Sequence, residues 1–378
     1  MKILDVNARF DPVLGGGSVE RTFQTSRLLA KFGVESTVLT LDIDLDHQQI
    51  KKLKGVNLIA LPGLIKRFRM PLFSYKAIKE IVNNADVIHL INHWTFLNAL
   101  VYIIARRLKK PYVICPAGSL AIYGRSKILK RIYNFVIGKS IVRNANRCIA
   151  ISVNEIPQFE SYGAEPEKIS VIANGINSDD FKRNDNVHFR EKYNLKNYPF
   201  ILFVGRLNHI KGPDLLLRAF CEIKNKIPAL HLVFAGPDEG MLTELKDIVI
   251  NAGLQDDVHF LGYLGNDDKV AAYYESELLA IPSRQEAMSI VVLEAAMTET
   301  PVLITNECGF NEVEDFNGGL VVPASVIDLQ KGLAKMLGNT ADLNAMGKSL
   351  KKHVSNHFTW DAIVNKYIEL YREILAEA

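Results

Sequence analysis

The sequence predicts an α/β protein of two domains, each a doubly wound parallel sheet with helices on both faces. Three observations carry that expectation. The chain has 378 residues, more than one hydrophobic core usually supports. Short apolar runs alternate with amphipathic helical segments twice over, once in each half. Between the two series lies a polar, charged stretch, 178–198, that reads as a linker.

In the first series, Lys2–Val6 reads as a strand and 19–32 as a helix with apolar positions at Val19, Phe23, Leu29 and Ala30. Strand 36–41, strand 56–61, helix 75–83, strand 87–91 and helix 96–109 continue it. Strand 112–115, helix 127–143 and strands 148–152 and 169–172 complete a first domain over 1–180. The second domain, 199–357, repeats the pattern with strands at 201–204, 230–235, 258–261, 278–281, 302–304 and 320–322. A last helix, 359–378, has Trp360, Ile363, Tyr367, Leu370, Tyr371 and Ile374 on one side.

Composition excludes several classes. At 48% hydrophobic and 23% charged, the chain is of ordinary globular type. Its longest apolar runs, such as 100–105, are too short to cross a bilayer. The amino terminus, MKILDVNARF, enters a strand without the charged-then-apolar pattern of a signal peptide. Four cysteines lie scattered at 115, 148, 221 and 308, which fits neither a zinc site nor a disulfide framework and suits a reducing cytoplasm. His89 and His93 are four apart but on a strand running into a loop, so they cannot share a metal as they would on a helix. The acids of LDIDLD, 41–46, stand at a strand end with no supporting His and read as a solvated loop. No metal or other cofactor is expected.

The net charge of +3 hides an asymmetry. Residues 1–180 hold 25 Lys and Arg against 15 Asp and Glu, a balance of +10, whereas the remainder carries −7. Much of the excess lies in 121–147, where Arg125, Lys127, Lys130, Arg131, Lys139, Arg143 and Arg147 are interleaved with apolar residues. Two readings stand: an amphipathic basic helix on an anionic membrane surface, or a core-packed helix with a solvated face. Nucleic acid is not an expected partner, since aromatic platforms and reader motifs are missing.

The candidate site is built on the second series. Segment 281–297, IPSRQEAMSIVVLEAAM, reads as a strand end, a polar loop and a helix. Ser289 stands at the N-cap position, so the amides of Ile290 and Val291 would face a phosphate at the positive end of the helix dipole. Glu286 in the loop and Glu294 one turn into the helix bracket that point. Carboxylates beside a phosphate are suited to accepting hydrogen bonds from hydroxyls, one from a sugar and one from a ribose. The competing reading is two solvated glutamates on a surface helix. Upstream, Phe200–Val204 runs into a loop holding Arg206 and Lys211, and Gly212-Pro213 opens a helix. Both cations thus sit at the carboxyl end of a parallel strand, the ligand edge of such a sheet, where they would neutralise a diphosphate. Gly15, Gly16 and Gly17 form a strand-to-helix turn without the G-x-G-x-x-G spacing of dinucleotide sites.

GRLNHIKG at 205–212, PSRQEAMSIVVLEAAM at 282–297 and GGGSVE at 15–20 resemble the retaining family 4 glycosyltransferases, and the resemblance covers nearly the whole chain. It implies the GT-B fold, two Rossmann-like domains facing each other across a cleft, with the last helix crossing back to the first. It implies that Arg206 and Lys211 hold the diphosphate of a nucleotide-sugar donor, Glu286 the donor sugar and Glu294 the ribose. The glycine loop is then expected at the donor phosphates and the acceptor, and Gly236, Pro237, Tyr263 and Leu264 near the nucleobase. The family usually has Gly-Phe-Gly after its first glutamate; here Ala287, Met288 and Ser289 follow, which leaves the sugar open. Many relatives place a His in the loop after the next strand, here PAGSL without one, and His93 is expected to stand in for it. The activity implied is retaining transfer of a hexosyl unit, from a UDP-sugar before GDP-mannose, to a saccharide or lipid-linked acceptor of cell-surface polysaccharide synthesis. The expected location is cytoplasmic, with peripheral attachment to the inner face of the cytoplasmic membrane. Two other readings stay open: a UDP-sugar 2-epimerase of the same fold and a non-catalytic nucleotide-sugar-binding protein.

Overall fold

Central strands of a parallel sheet are covered on both faces, so they are apolar throughout rather than alternating. Val87–Ile91, Tyr112–Cys115 and Leu278–Ile281 meet that condition, with every residue buried. The computed structural model describes the chain apart from residues 11–16, 44, 46–50, 52, 66–69, 73–74, 123–125, 339 and 378. It contains two compact units, Met1–Gly175 with Trp360–Ala378, and Ile176–Thr359.

In the first unit the strands are β1 (Lys2–Val6), β2 (Glu35–Leu41), β3 (Val56–Leu61), the short antiparallel pair β4 (Gly63–Ile65) and β5 (Met70–Pro71), β6 (Val87–Ile91), β7 (Tyr112–Cys115), β8 (Arg147–Ala150) and β9 (Ile169–Val171). Seven of them form one parallel sheet in the order β3-β2-β1-β6-β7-β8-β9. The second unit has β10 (Phe200–Val204), β11 (His231–Ala235), β12 (Val258–Gly262), β13 (Leu278–Ile281), β14 (Val302–Thr305) and β15 (Gly319–Val322), ordered β12-β11-β10-β13-β14-β15. Both are doubly wound Rossmann-like sheets, and in each the winding reverses beside the first strand. In the second unit that reversal falls between β10 and β13, which pair through Ile201–Leu278 and Leu202–Leu279. The loops that follow these two strands are therefore neighbours in space, although about 80 residues apart in sequence.

The last helix, Trp360–Glu377, belongs to the first unit because its apolar side packs there. Arg21, fully buried on helix Gly17–Lys31, holds it: Arg21 donates to the Tyr367 hydroxyl at 2.6 Å, to Asn174 Oδ1 at 2.7 and 3.0 Å, and to the Ile172 carbonyl at 3.1 Å. Each of the three guanidinium nitrogens has an acceptor, the condition under which a buried charge is tolerated. His89, buried in β6, lies 3.0 Å from both Asp5 Oδ1 and the Tyr371 hydroxyl.

Two segments differ from the sequence reading. Residues 178–198 are no linker: Phe181, Phe189 and Leu195 are buried in the second unit, Phe189 against Phe200 and Tyr193, and Arg190 pairs with Glu275 at 2.8 Å. Three isolated apolar residues in a polar background have no periodicity to announce them. The units accordingly part at Gly175–Ile176 and Thr359–Trp360, where Ile176 and Thr359 form a parallel bridge. Segment 127–143 is helical, but with a π turn at Asn134–Gly138 between α-helices Lys127–Tyr133 and Lys139–Arg143. No helix among the described residues is long and apolar enough to cross a membrane.

Candidate active site

The carboxyl end of β10 opens at Gly205 into a short loop that carries Arg206, Asn208 and Lys211. Gly212 closes it in the left-handed region at φ +66, and a Cβ there would lie 2.1 Å from the Pro282 carbonyl oxygen. Only glycine lets this loop press against the one leaving β13. Pro213 then starts helix Pro213–Lys224. The two loops are bound together. The Arg284 amide donates to the Ile210 carbonyl at 2.7 Å, and its guanidinium grips Asp214 in two bonds of 2.6 and 2.8 Å and the His209 carbonyl at 2.8 Å. Burial works to raise the Asp214 carboxyl, but the hydrogen bonds and charge of Arg284 outweigh it and hold it below the usual range.

This clamp sets the central pair. Lys211 Nζ stands 2.7 Å from Glu286 Oε1, which also accepts from the Ser283 hydroxyl at 2.5 Å. Glu286 is 9% exposed and Lys211 24%, so the pair is partly shielded from water. Glu286 and Ser289 are anchored from behind by bonds of their amides to the carbonyls of Glu307 (2.8 Å) and Cys308 (3.0 Å).

Ser289 is the N-cap of helix Ile290–Met297, but its hydroxyl does not cap it. The Ser289 Oγ is buried and has no hydrogen-bond partner. The partly exposed Ile290 and Val291 open the helix, where amides have no intrahelical acceptor, and Met288 beside them is buried. One turn on, both oxygens of Glu294 are engaged: Oε1 by Lys269 Nζ at 2.8 Å, Oε2 by the Tyr273 hydroxyl at 2.7 Å. Tyr273 is fully buried, and desolvation, with Glu294 beside it, drives its phenol well above the usual value, so it is a permanent donor.

Arg206 reaches Glu239, at 2.8 and 3.0 Å, and Asn208 donates to the same carboxylate at 2.8 Å. Burial works to raise the Glu239 carboxyl, and these donors together more than reverse it. Both side chains are substantially exposed, so the pair contributes little to stability and is free to exchange partners. Gly236, at φ +148, has room for no Cβ: it would lie 1.9 Å from the Gly205 carbonyl. The Gly236 amide donates to the Gly262 carbonyl at 2.7 Å, and Leu207 to the Pro237 carbonyl at 2.9 Å. The ends of β12, β11 and β10 are thereby zipped into one rim, on which Tyr263 is 76% exposed and Leu264 buried.

The structure thus gathers Arg206, Lys211, Glu286, Glu294, Gly236, Pro237, Tyr263, Leu264, Met288, Ser289, Ile290 and Val291 along one sheet edge. His93 is not among them. It lies in the first unit, fully buried between Trp94, Tyr133 and Tyr162, with Nε2 3.2 Å from Asn134 Oδ1. Desolvation lowers its pKa to about 4, against the opposing hydrogen bond to Asn134, so it is a neutral packing residue and its expected sugar contact is withdrawn. Gly17 begins helix Gly17–Lys31 in the first unit; Gly15 and Gly16 lie outside the described residues. Among the described residues no group of three His, Cys, Asp or Glu could hold a metal. Glu239, Asn208, the Arg284–Asp214 clamp, Lys269 and Tyr273 escaped the sequence reading. Only Glu239, two residues beyond Gly236-Pro237 on the same turn, carried a signal.

Two family descriptions match this chain: "Glycosyltransferase Family 4" over residues 15–180 and "Glycosyl transferases group 1" over residues 185–353. The chain belongs to the GT-B glycosyltransferases. It is 27% identical, over 98% of both chains, to an uncharacterized glycosyltransferase of Methanocaldococcus jannaschii. Against a D-inositol 3-phosphate glycosyltransferase of Salinispora tropica the identity is 25%, covering 96% of this chain and 82% of the relative. The HepE structure of Anabaena, in complex with UDP, superposes with a TM-score of 0.80 at 18% identity, over 99% of this chain and 100% of the other, a likeness of fold. Glycosyl transfer is accordingly the general activity of this glycosyltransferase.

Proposed function

We propose that the protein is a retaining hexosyltransferase that takes its donor as a nucleotide sugar, a UDP-sugar before GDP-mannose, at the carboxyl edge of β10–β13. The observation that carries this reading is the grouping of two cations, Arg206 and Lys211, with an uncapped helix start and two shielded carboxylates. In the proposed complex the diphosphate takes Arg206 from Glu239 and Lys211 from Glu286. The Ile290 and Val291 amides complete its shell, and the orphaned Ser289 hydroxyl gains a partner. Glu286, released from Lys211, accepts from hydroxyls of the sugar, and Glu294 from those of the ribose. Tyr263 offers an exposed ring to the base. That HepE binds UDP in the same fold supports the choice of a uridine donor.

In the reaction the bond from the anomeric carbon to the diphosphate oxygen breaks, and one to the acceptor hydroxyl oxygen forms on the same face. The acceptor proton passes to the departing phosphate oxygen. Arg206, Lys211 and the helix amides stabilise the negative charge that collects there, a preorganised stabilisation greatest in the transition state. No protein nucleophile is needed. The acceptor we assign is a saccharide or lipid-linked saccharide of cell-surface polysaccharide synthesis, at the cytoplasmic face of a membrane. The +10 balance of residues 1–180 supports an anionic one.

A thermal-shift screen against UDP, GDP and ADP and their glucose, N-acetylglucosamine and mannose conjugates tests the donor. Stabilisation by UDP and at least one UDP-sugar is the expected outcome, and no response to any nucleotide would overturn the reading.

A further inference from the structure

Segment 127–143 is apolar on two opposite sides. Its inner side is accounted for: Ile141 and Val142 are buried, and Tyr133 and Ile137 pack on the core of the first unit. Its outer side is not. Ile128, Leu129, Ile132, Phe135 and Val136 are exposed by 72, 50, 53, 92 and 70%. Their spacing (i, i+1, i+4, i+7, i+8) makes one continuous stripe.

A π turn, Asn134–Gly138, lies in the middle of this helix. Asn134 turns inward, donating to the Tyr162 hydroxyl at 2.6 Å and meeting His93 Nε2 at 3.2 Å. Gly138 closes over it: a Cβ there would lie 2.4 Å from Asn134 Oδ1 and 2.9 Å from His93 Nε2. Phe135 and Val136, which lie between these two buried residues in the sequence, are on the exposed side of the turn. A phenylalanine nine-tenths in water at a bulge held by buried hydrogen bonds has a cost that packing within the unit does not offset.

Charge identifies the occupant. Lys127, Arg131 and Lys139 border the stripe and are exposed. From residue 87 to residue 154 the sequence has 11 Lys and Arg and no Asp or Glu. We propose that this helix docks the protein on an anionic bilayer, inserting Ile128, Leu129, Ile132, Phe135 and Val136 below the headgroups while the bordering cations meet lipid phosphates. A second copy of the chain fits less well, because pairing two such faces would set like charges against each other. The inference deepens the lipid-linked acceptor reading and rests on it for its purpose, but vesicle binding without donor or acceptor tests it separately.

The experiment is cosedimentation of the full chain with vesicles of phosphatidylcholine alone or with about one-third phosphatidylglycerol, at low salt and at about 0.5 M NaCl. The protein is expected to bind the anionic vesicles and to keep part of that binding at high salt, where screening leaves the apolar contribution. The double substitution Phe135→Ser, Val136→Ser is expected to lower the partition coefficient about tenfold or more. Since both side chains already face water, its melting temperature and its thermal shift with UDP should match those of the wild type. Variant binding equal to wild type, complete release of the wild type by salt, or no binding to either vesicle would each overturn the proposal. So would a wild-type dimer in solution that the variant dissolves.

Discussion

Lys211 Nζ and Glu286 Oε1 are 2.7 Å apart, joining the loop after β10 to the loop after β13. Without a donor the two charges satisfy each other in a partly shielded place, so neither is left bare. In the proposed complex a diphosphate competes for the ammonium, and the carboxylate is released to the sugar only when phosphate arrives. Donor phosphate and donor sugar would then be recognised in a linked way.

The two glutamates should therefore fail differently. Glu286→Gln is expected to depress turnover with modest loss of UDP affinity. Glu294→Gln should weaken UDP itself by about 1.5–3 kcal/mol, the worth of hydrogen bonds to a charged group. Calorimetric titration of both variants with UDP checks this, and equal losses would contradict the division of roles.

Tyr273 fixes one oxygen of Glu294 from inside the fold. Tyr273→Phe keeps the ring and deletes the 2.7 Å bond, so UDP affinity should drop by about 1 kcal/mol and folding stability by about 1.5–3 kcal/mol. An affinity identical to wild type would show that Lys269 alone positions the carboxylate.

The Arg284–Asp214 clamp is mostly but not fully shielded, its side chains 25 and 12% exposed, so its loss is milder than for a fully buried pair. Arg284→Ala should destabilise the second unit by about 1–3 kcal/mol and raise the donor KM, because the loops bearing Lys211 and Glu286 lose their common anchor. Thermal unfolding with donor kinetics reads both effects; wild-type values in each would show that the clamp does not position these loops.

His93 predicts a pH response of definite sign. Its pKa falls from an ordinary value near 6.5 to about 4, chiefly by desolvation. Between those values the unfolded chain binds the proton and the folded one does not, so the contribution is full above pH ~6.5 and is lost as pH falls toward 4. The loss amounts to roughly 3 kcal/mol at the acid end. His93→Phe, which keeps an aromatic ring among Trp94, Tyr133 and Tyr162, should flatten the acid limb of the melting-temperature profile. An unchanged limb would place the response elsewhere.

The fold was legible because its signals are local and repeated. Runs such as Val87–Ile91 and Leu278–Ile281 need both faces covered, and that requirement is written in consecutive residues. That Arg206, Lys211, Glu286 and Glu294 would come to one sheet edge was legible for a related reason: each sits at a fixed offset from a strand end or a helix start. What escaped depends on contacts between distant segments. Tyr273 meets Glu294 across 21 residues and Arg284 meets Asp214 across 70, and neither pair has a periodicity of its own. His93 misled because a histidine just beyond a strand has the same sequence context whether it faces a ligand or, as here, turns into an aromatic core. In 127–143 the two halves of one apolar, basic pattern proved to face opposite ways.

If Lys211 stabilises the departing diphosphate, its loss shows in the turnover of Lys211→Ala on the UDP-sugar selected by the thermal-shift screen, read as donor hydrolysis in the absence of acceptor. By the precedent of removing one preorganised donor from a transition-state site, kcat should fall by about 100- to 1,000-fold, equivalent to roughly 2.7–4 kcal/mol. KM should change far less. A variant that turns over its donor at the wild-type rate would place the diphosphate elsewhere.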